Sequence, residues 1–215
     1  MKKLIVVLAV LLLVALPLIS GCGDDGRRLT EAEEHLEKGV EYAEQVRFDD
    51  AIAQFSKAIE LDPQFAWAYH NRGLTYFLLG QYQRAIEDYT EAIRLDPNDA
   101  VAYHNRGLAH YDLGQYEEAI ADFNKAIELD PNEALAYSHR ALIYLDLGDP
   151  QRAIADCNKA IELDPEDPFA YSVRALVLLE LGRLTEAESD AMKVCELEPE
   201  GELCQLLMEE TELIH

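Results

Sequence analysis

Cations are scarce in this chain: 18 Lys and Arg stand against 42 Asp and Glu over 215 residues, a formal charge of −24. Nucleic acids are bound through clustered cations, and no basic stripe with interleaved aromatics occurs, so that class of partner is excluded. The charge favours solubility and neutral or basic partners instead. A membrane-length apolar run is also lacking. Leu4 to Ile19 spans 16 residues, whereas a spanning helix needs about 20. Catalytic signatures are missing as well: no H-E-x-x-H, G-x-S-x-G, P-loop or C-x-x-C is present. "GCGDDG" at 21–26 fits G-x-G-x-x-G, but no strand precedes it, so it is not a dinucleotide loop. The carboxylates fall mostly on helix surfaces, where solvation is their ordinary role. These absences leave no enzyme class, metal or cofactor to propose.

The N-terminus reads as a targeting segment. Lys2 and Lys3 precede the apolar run, and "LISGC" closes it at Cys22. This ending resembles the lipobox of bacterial lipoproteins. The resemblance implies a signal peptide at 1–21, lipid on the Cys22 thiol, a short linker over 22–31, and an exported chain anchored to a bacterial membrane. Which membrane is open. The alternative is an uncleaved signal anchor with a chance cysteine. Two or three acyl chains would satisfy the need for more than one lipid signal.

Periodicity organises the rest. "LDP" occurs at 61–63, 95–97, 129–131 and 163–165, and "LEP" at 197–199, always 34 apart. "AYHNRGL" at 68–74 returns unchanged at 102–108. With each Pro at position 32, copies begin at Ala32, Ala66, Ala100, Ala134 and Pro168. Position 8 is then Gly39, Gly73, Gly107, Ala141 and Ala175, and position 20 is Ala in all five. Position 27 is Ala58, Ala92, Ala126, Ala160 and Val194. Within each copy the apolar residues recur at helical spacing, and Gly80, Gly114, Gly148 or Gly182 ends a first helix. Thr30 with Glu33 fits a capping box.

Over residues 32–199 this pattern resembles the tetratricopeptide repeat. The last copy departs from it at Leu178, Ala191 and Val194, as terminal copies often do. The resemblance implies an all-α, right-handed superhelical solenoid of five helix-turn-helix repeats: 32–65, 66–99, 100–133, 134–167 and 168–201. Residues 202–215 read as a capping helix over the last apolar face.

Two sets of residues follow from the repeat. Position 7 is Arg72, Arg106, Arg140 and Arg174, and position 23 is Asp88, Asp122, Asp156 and Asp190. These predict four structural ion pairs between first and second helices, within or between neighbouring repeats; the first copy has Lys38 and Gln54 instead. Tyr69, Gly73 and Tyr76 read as a core stripe. The opposite face of the first helices lines the concave side in this family, which implies a partner-binding groove. It would comprise Trp67, His70, Asn71, Leu74 and Phe77, then Val101, His104, Asn105, Leu108 and Tyr111, then Leu135, His139 and Phe169. The alternative is that these are semi-buried spacers inherited with the repeat. A chaperone-type carboxylate clamp needs Lys and Asn at positions 5 and 9, where this chain has Leu36 and Val40 or His70 and Leu74. No clamp is present.

Adjacent first helices lie about 8–10 Å apart, too far for His70 and His104 to share a metal without special geometry. Cys157 reads as a buried thiol. Cys195 and Cys204 would face each other across a turn, either as free thiols or as a disulfide stapling the terminal helix. The function implied is a membrane-anchored scaffold for a protein or peptide, with envelope assembly as the family analogy and the oligomeric state open. A structural spacer or a small-ligand binder is the alternative.

Overall fold

The computed structural model describes residues 29–199, 201, 204 and 205. The signal segment, Cys22 and most of the expected capping helix lie outside the described residues. Among the described residues every regular element is helical. The order is α1 Glu31–Glu44, α2 Phe48–Leu61, α3 Ala66–Leu78, α4 Tyr82–Leu95, α5 Ala100–Asp112, α6 Tyr116–Leu129, α7 Ala134–Asp146, α8 Pro150–Leu163, α9 Pro168–Glu180 and α10 Leu184–Leu197. Odd-numbered elements are the first helix of each repeat and even-numbered ones the second. None is long and apolar enough to cross a membrane.

Local chemistry sets the boundaries. Thr30 opens α1 with a complete capping box: its hydroxyl accepts from Glu33 N, and Glu33 accepts from Thr30 N at 2.7 Å. Asp99, Asp149 and Asp167 cap α5, α8 and α9. The first helix of a repeat ends in a Schellman turn, as at Gly80, where φ is +70°. There Gly80 N donates to Phe77 O at 2.9 Å and Gln81 N to Tyr76 O at 2.8 Å. Repeat 1 makes the same turn with Val46 at φ +59°, a conformation costly for a β-branched residue. The aspartate of each "LDP" has a role the period alone did not reveal. Asp62, Asp96, Asp130 and Asp164 each accept the N–H two residues on, at 2.9–3.0 Å, turning the chain past a proline that has no N–H.

The helices group into two compact units that divide between Leu129 and Asp130. In residues 29–129, α1–α2, α3–α4 and α5–α6 form packed pairs; α3 also packs on α1 and α2, and α5 on α3 and α4. The core layers here are Leu36 with Phe55, then Tyr89, then Phe123, all fully buried. In residues 130–205, α7–α8 and α9–α10 pair, and α9 packs on α7 and α8. That core is smaller-grained: Leu142, Ile143, Leu145, Cys157, Val173 and Val177.

Candidate interaction face

From repeat 2 onward an arginine sits at the centre of each helix pair. Arg72 Nε and Nη2 donate to Asp88 at 2.8 Å each, a bidentate pair. Arg106–Asp122, Arg140–Asp156 and Arg174–Asp190 repeat it at 2.7–2.8 Å. All four pairs lie within a repeat. The remaining arm reaches the preceding second helix: Arg72 Nη1 to Ser56 Oγ at 3.0 Å, Arg106 Nη1 to Thr90 Oγ1 at 3.1 Å, and Arg174 Nη1 to Asn158 Oδ1 at 2.8 Å. A short polar side chain at position 25 thus completes the site, a signal the sequence carried unnoticed. The hydrogen bonds they donate to the aspartates hold the Arg72, Arg106 and Arg174 guanidiniums above their ordinary pKa. In repeat 1, where the pair is absent, His35 Nδ1 and Gln54 Oε1 meet at 2.6 Å.

The tyrosines of the expected core stripe lie at the edge of the core. Tyr69 and Tyr76 are half-buried rather than fully enclosed, and Tyr69 packs against the core cluster of Ala92, Ile93 and Ala102. Their rings also meet cations, Tyr69 with Arg72 at 5.8 Å and Tyr76 with Arg84 at 5.5 Å.

The expected groove residues divide sharply. Eight of the thirteen, namely His70, Asn71, Phe77, His104, Asn105, Leu108, His139 and Phe169, are buried at 1–7% exposure, so they form packing rather than an open lining. Their polar atoms are engaged locally. Asn71 Nδ2 donates to Trp67 O at 2.8 Å, and His139 Nδ1 to Leu135 O at 2.8 Å. His70 bridges repeats 2 and 3: Nδ1 lies 3.4 Å from Asp99 Oδ2, and Nε2 lies 3.4 Å from Asn105 Nδ2. Burial alone would raise the Asp99 carboxyl, but His70 and the N–H groups of Ala102 and Val101 hold it below the usual carboxylate range. Ring contacts finish the packing, with His70 edge-on to Tyr89 at 5.6 Å, His104 edge-on to Phe123 at 5.3 Å and His139 against Phe169 at 4.9 Å. Tyr89 Oη is buried without a protein hydrogen-bond partner, and desolvation pushes its pKa well up. The residues that keep accessible surface are Trp67, Leu74, Val101 and Tyr111 in the first unit and Leu135 in the second.

Cys195 and Cys204 are joined by a disulfide with Cα atoms 4.8 Å apart, tying α10 to the segment beyond it. Cys157 is a free, buried thiol whose pKa burial pushes far up, which keeps it protonated. Among the described residues, no three His, Cys, Asp or Glu side chains converge as a metal site would require.

Family models described as tetratricopeptide repeat match residues 100–133, 134–167 and 157–189, and a TPR repeat model matches 39–80 and 74–114. The first TPR of Spaghetti (RPAP3), solved with the HSP90 peptide SRMEEVD, is 32% identical, with 55% of this chain and 94% of that one covered and a TM-score of 0.54. The chain belongs to the tetratricopeptide-repeat family. This TPR chain is also similar to crystallised MamA, at 29% identity, 75% and 94% coverage and TM-score 0.69. A thermophilic TPR protein of Thermus thermophilus is 25% identical, with 85% and 99% coverage and TM-score 0.69. No curated protein matches the chain.

Proposed function

We propose that this TPR chain is a non-catalytic scaffold that holds a protein or peptide partner on the face of its first helices that lines the concave side in this family. A lipid on Cys22 would anchor it to a bacterial membrane, with a role in cell-envelope assembly. One observation carries the binding reading: Trp67, Leu74, Val101 and Tyr111 present partly accessible apolar surface on one side of α3 and α5. The peptide seated on the RPAP3 domain supports this use of the fold. The burial of His70, Asn71 and their equivalents favours a second reading, in which the repeats serve mainly as a spacer.

Photo-crosslinking in cells separates the two. A crosslinker at Leu74 or Val101 of the full-length chain is expected to trap a discrete partner, whereas one at exposed Glu87 on α4 is not. Equal trapping, or none, at all three sites favours the spacer. The anchor has its own test: Cys22→Ser should move the chain from the membrane fraction to the soluble fraction.

A further inference from the structure

The distribution of charge names the chemistry of the partner. Residues 29–129 hold eight cations: Lys38, Arg47, Lys57, Arg72, Arg84, Arg94, Arg106 and Lys125. Six of them are paired with carboxylates on the second helices or the turns leading into them: Arg47–Asp50, Lys57–Glu60, Arg72–Asp88, Arg94–Glu91, Arg106–Asp122 and Lys125–Glu128. None of the eight lies at positions 2, 5, 6, 9, 12 or 13 of a repeat, the positions that share a face with Trp67, Leu74, Val101 and Tyr111 on α1, α3 and α5. That face carries acids: Glu37 and Glu44 on α1 and Asp112 at the end of α5, with Glu44 and Asp112 exposed, while Glu33 is held in the capping box with Thr30. The helix that bears Glu37 and Glu44 packs on the helix that bears Trp67 and Leu74, and Asp112 directly follows Tyr111. Trp67 packs on the core cluster built from Leu36, Val40, Ala51, Phe55, Ala58 and Ala68, and α3 touches both α1 and α5. The arrangement is a partly accessible apolar row whose face positions carry carboxylates and no Lys or Arg.

We infer that the segment docking on α1, α3 and α5 is a cationic peptide, whose apolar side chains lie along Trp67, Leu74, Val101 and Tyr111 and whose Lys or Arg groups meet these carboxylates. This rests on the scaffold reading above and adds the sign of the partner. Opposite charge across an interface speeds encounter and rejects wrong partners. A carboxylate-rich peptide such as the SRMEEVD of the RPAP3 complex finds no counter-charge on this face.

Trp67 is the only tryptophan in the chain, so its emission reports on this face alone. The full-length chain is titrated with three ten-residue probes that share one Leu/Phe pattern and carry Lys, Gln or Glu at the remaining places. The Lys probe should shift Trp67 emission and bind at least tenfold more tightly than the Gln probe, with the advantage shrinking as salt is raised. The Glu probe should leave the emission unchanged. Glu37→Lys with Glu44→Lys should erase the Lys-probe advantage, while Glu87→Lys with Glu117→Lys on α4 and α6 should keep most of it. Equal loss in both doubles would mean attraction to the whole acidic molecule and would overturn the site. Equal binding of the Lys and Gln probes would overturn the charge inference and leave the scaffold reading intact. No response of Trp67 to any probe would overturn both.

Discussion

In repeats 1 to 3 a glycine on the first helix faces an aromatic ring sixteen residues later on the second: Gly39 and Phe55, Gly73 and Tyr89, Gly107 and Phe123. In repeats 4 and 5 the same two places hold Ala141 with Cys157 and Ala175 with Ala191, all fully buried. The change coincides with the division of the chain into its two units. Where the ring is large, a Cβ is crowded: one built on Gly39 would lie 2.6 Å from Phe55 Cδ1, a clash, and one on Gly107 3.2 Å from Phe123 Cζ, a tight contact. Where the partner is small, the Cβ fills space the ring would have taken. The repeat therefore keeps a filled volume between its helices rather than a residue type, as close packing requires. What both units retain unchanged is the bidentate Arg–Asp pair.

The largest expected effect tests what the units share. Asp122→Ala in one and Asp190→Ala in the other should each cost about 3 kcal/mol in urea denaturation, because each leaves a largely buried guanidinium without its carboxylate. A clear difference between them would show that the two arrays are not equivalent. Next comes the contrast itself. Gly39→Ala should destabilise by about 2–3 kcal/mol through the Phe55 clash, whereas Ala141→Gly should cost only about 1 kcal/mol of helix propensity. Equal costs would break the comparison.

Loss of the disulfide in Cys204→Ser should cost the second unit about 2 kcal/mol and leave the first unit untouched, read as amide exchange confined to α9 and α10. In the opposite direction, Val46→Gly should stabilise the first unit by about 1 kcal/mol, by relieving a left-handed β-branched residue at the only Schellman turn among the described repeats that lacks glycine. No such gain is available at Gly148 or Gly182.

The smallest effect is one of pH, and it has opposite signs in the two units at repeat position 34. Asp99 has His70 beside it and a carboxyl held below 3.8 in the fold, so its contribution to stability is complete above that value and is lost as pH falls through the folded pKa. Asp167 has no such histidine, since the residue at the place of His70 is Ser138. Burial raises its carboxyl above 3.8 despite bonds from Phe169 and Ala170 N–H, so the stability it brings is full below 3.8 and lost as pH rises through the folded value. Carboxyl-carbon NMR titration should find Asp99 ionising first and Asp167 later. The reverse order would remove His70 from the account of Asp99.

The period of 34, the helix ends, the capping box and the pairing of Arg with Asp were legible in the amino-acid order, because each is set by residues at fixed separations along one helix or one hairpin. The same order did not reveal that His70, Asn71 and Phe77 are buried while Trp67 and Leu74 stay partly open, nor that Tyr69 and Tyr76 cover arginines. Those residues share helical faces, and a face is closed only where another helix lands on it. His70 is covered by Asp99 at the end of its own repeat and by Asn105 from the following one. Periodicity thus determined the helices and their internal partners, whereas the packing of α3 against α1, α4 and α5 decided which part of a shared face remained for a partner.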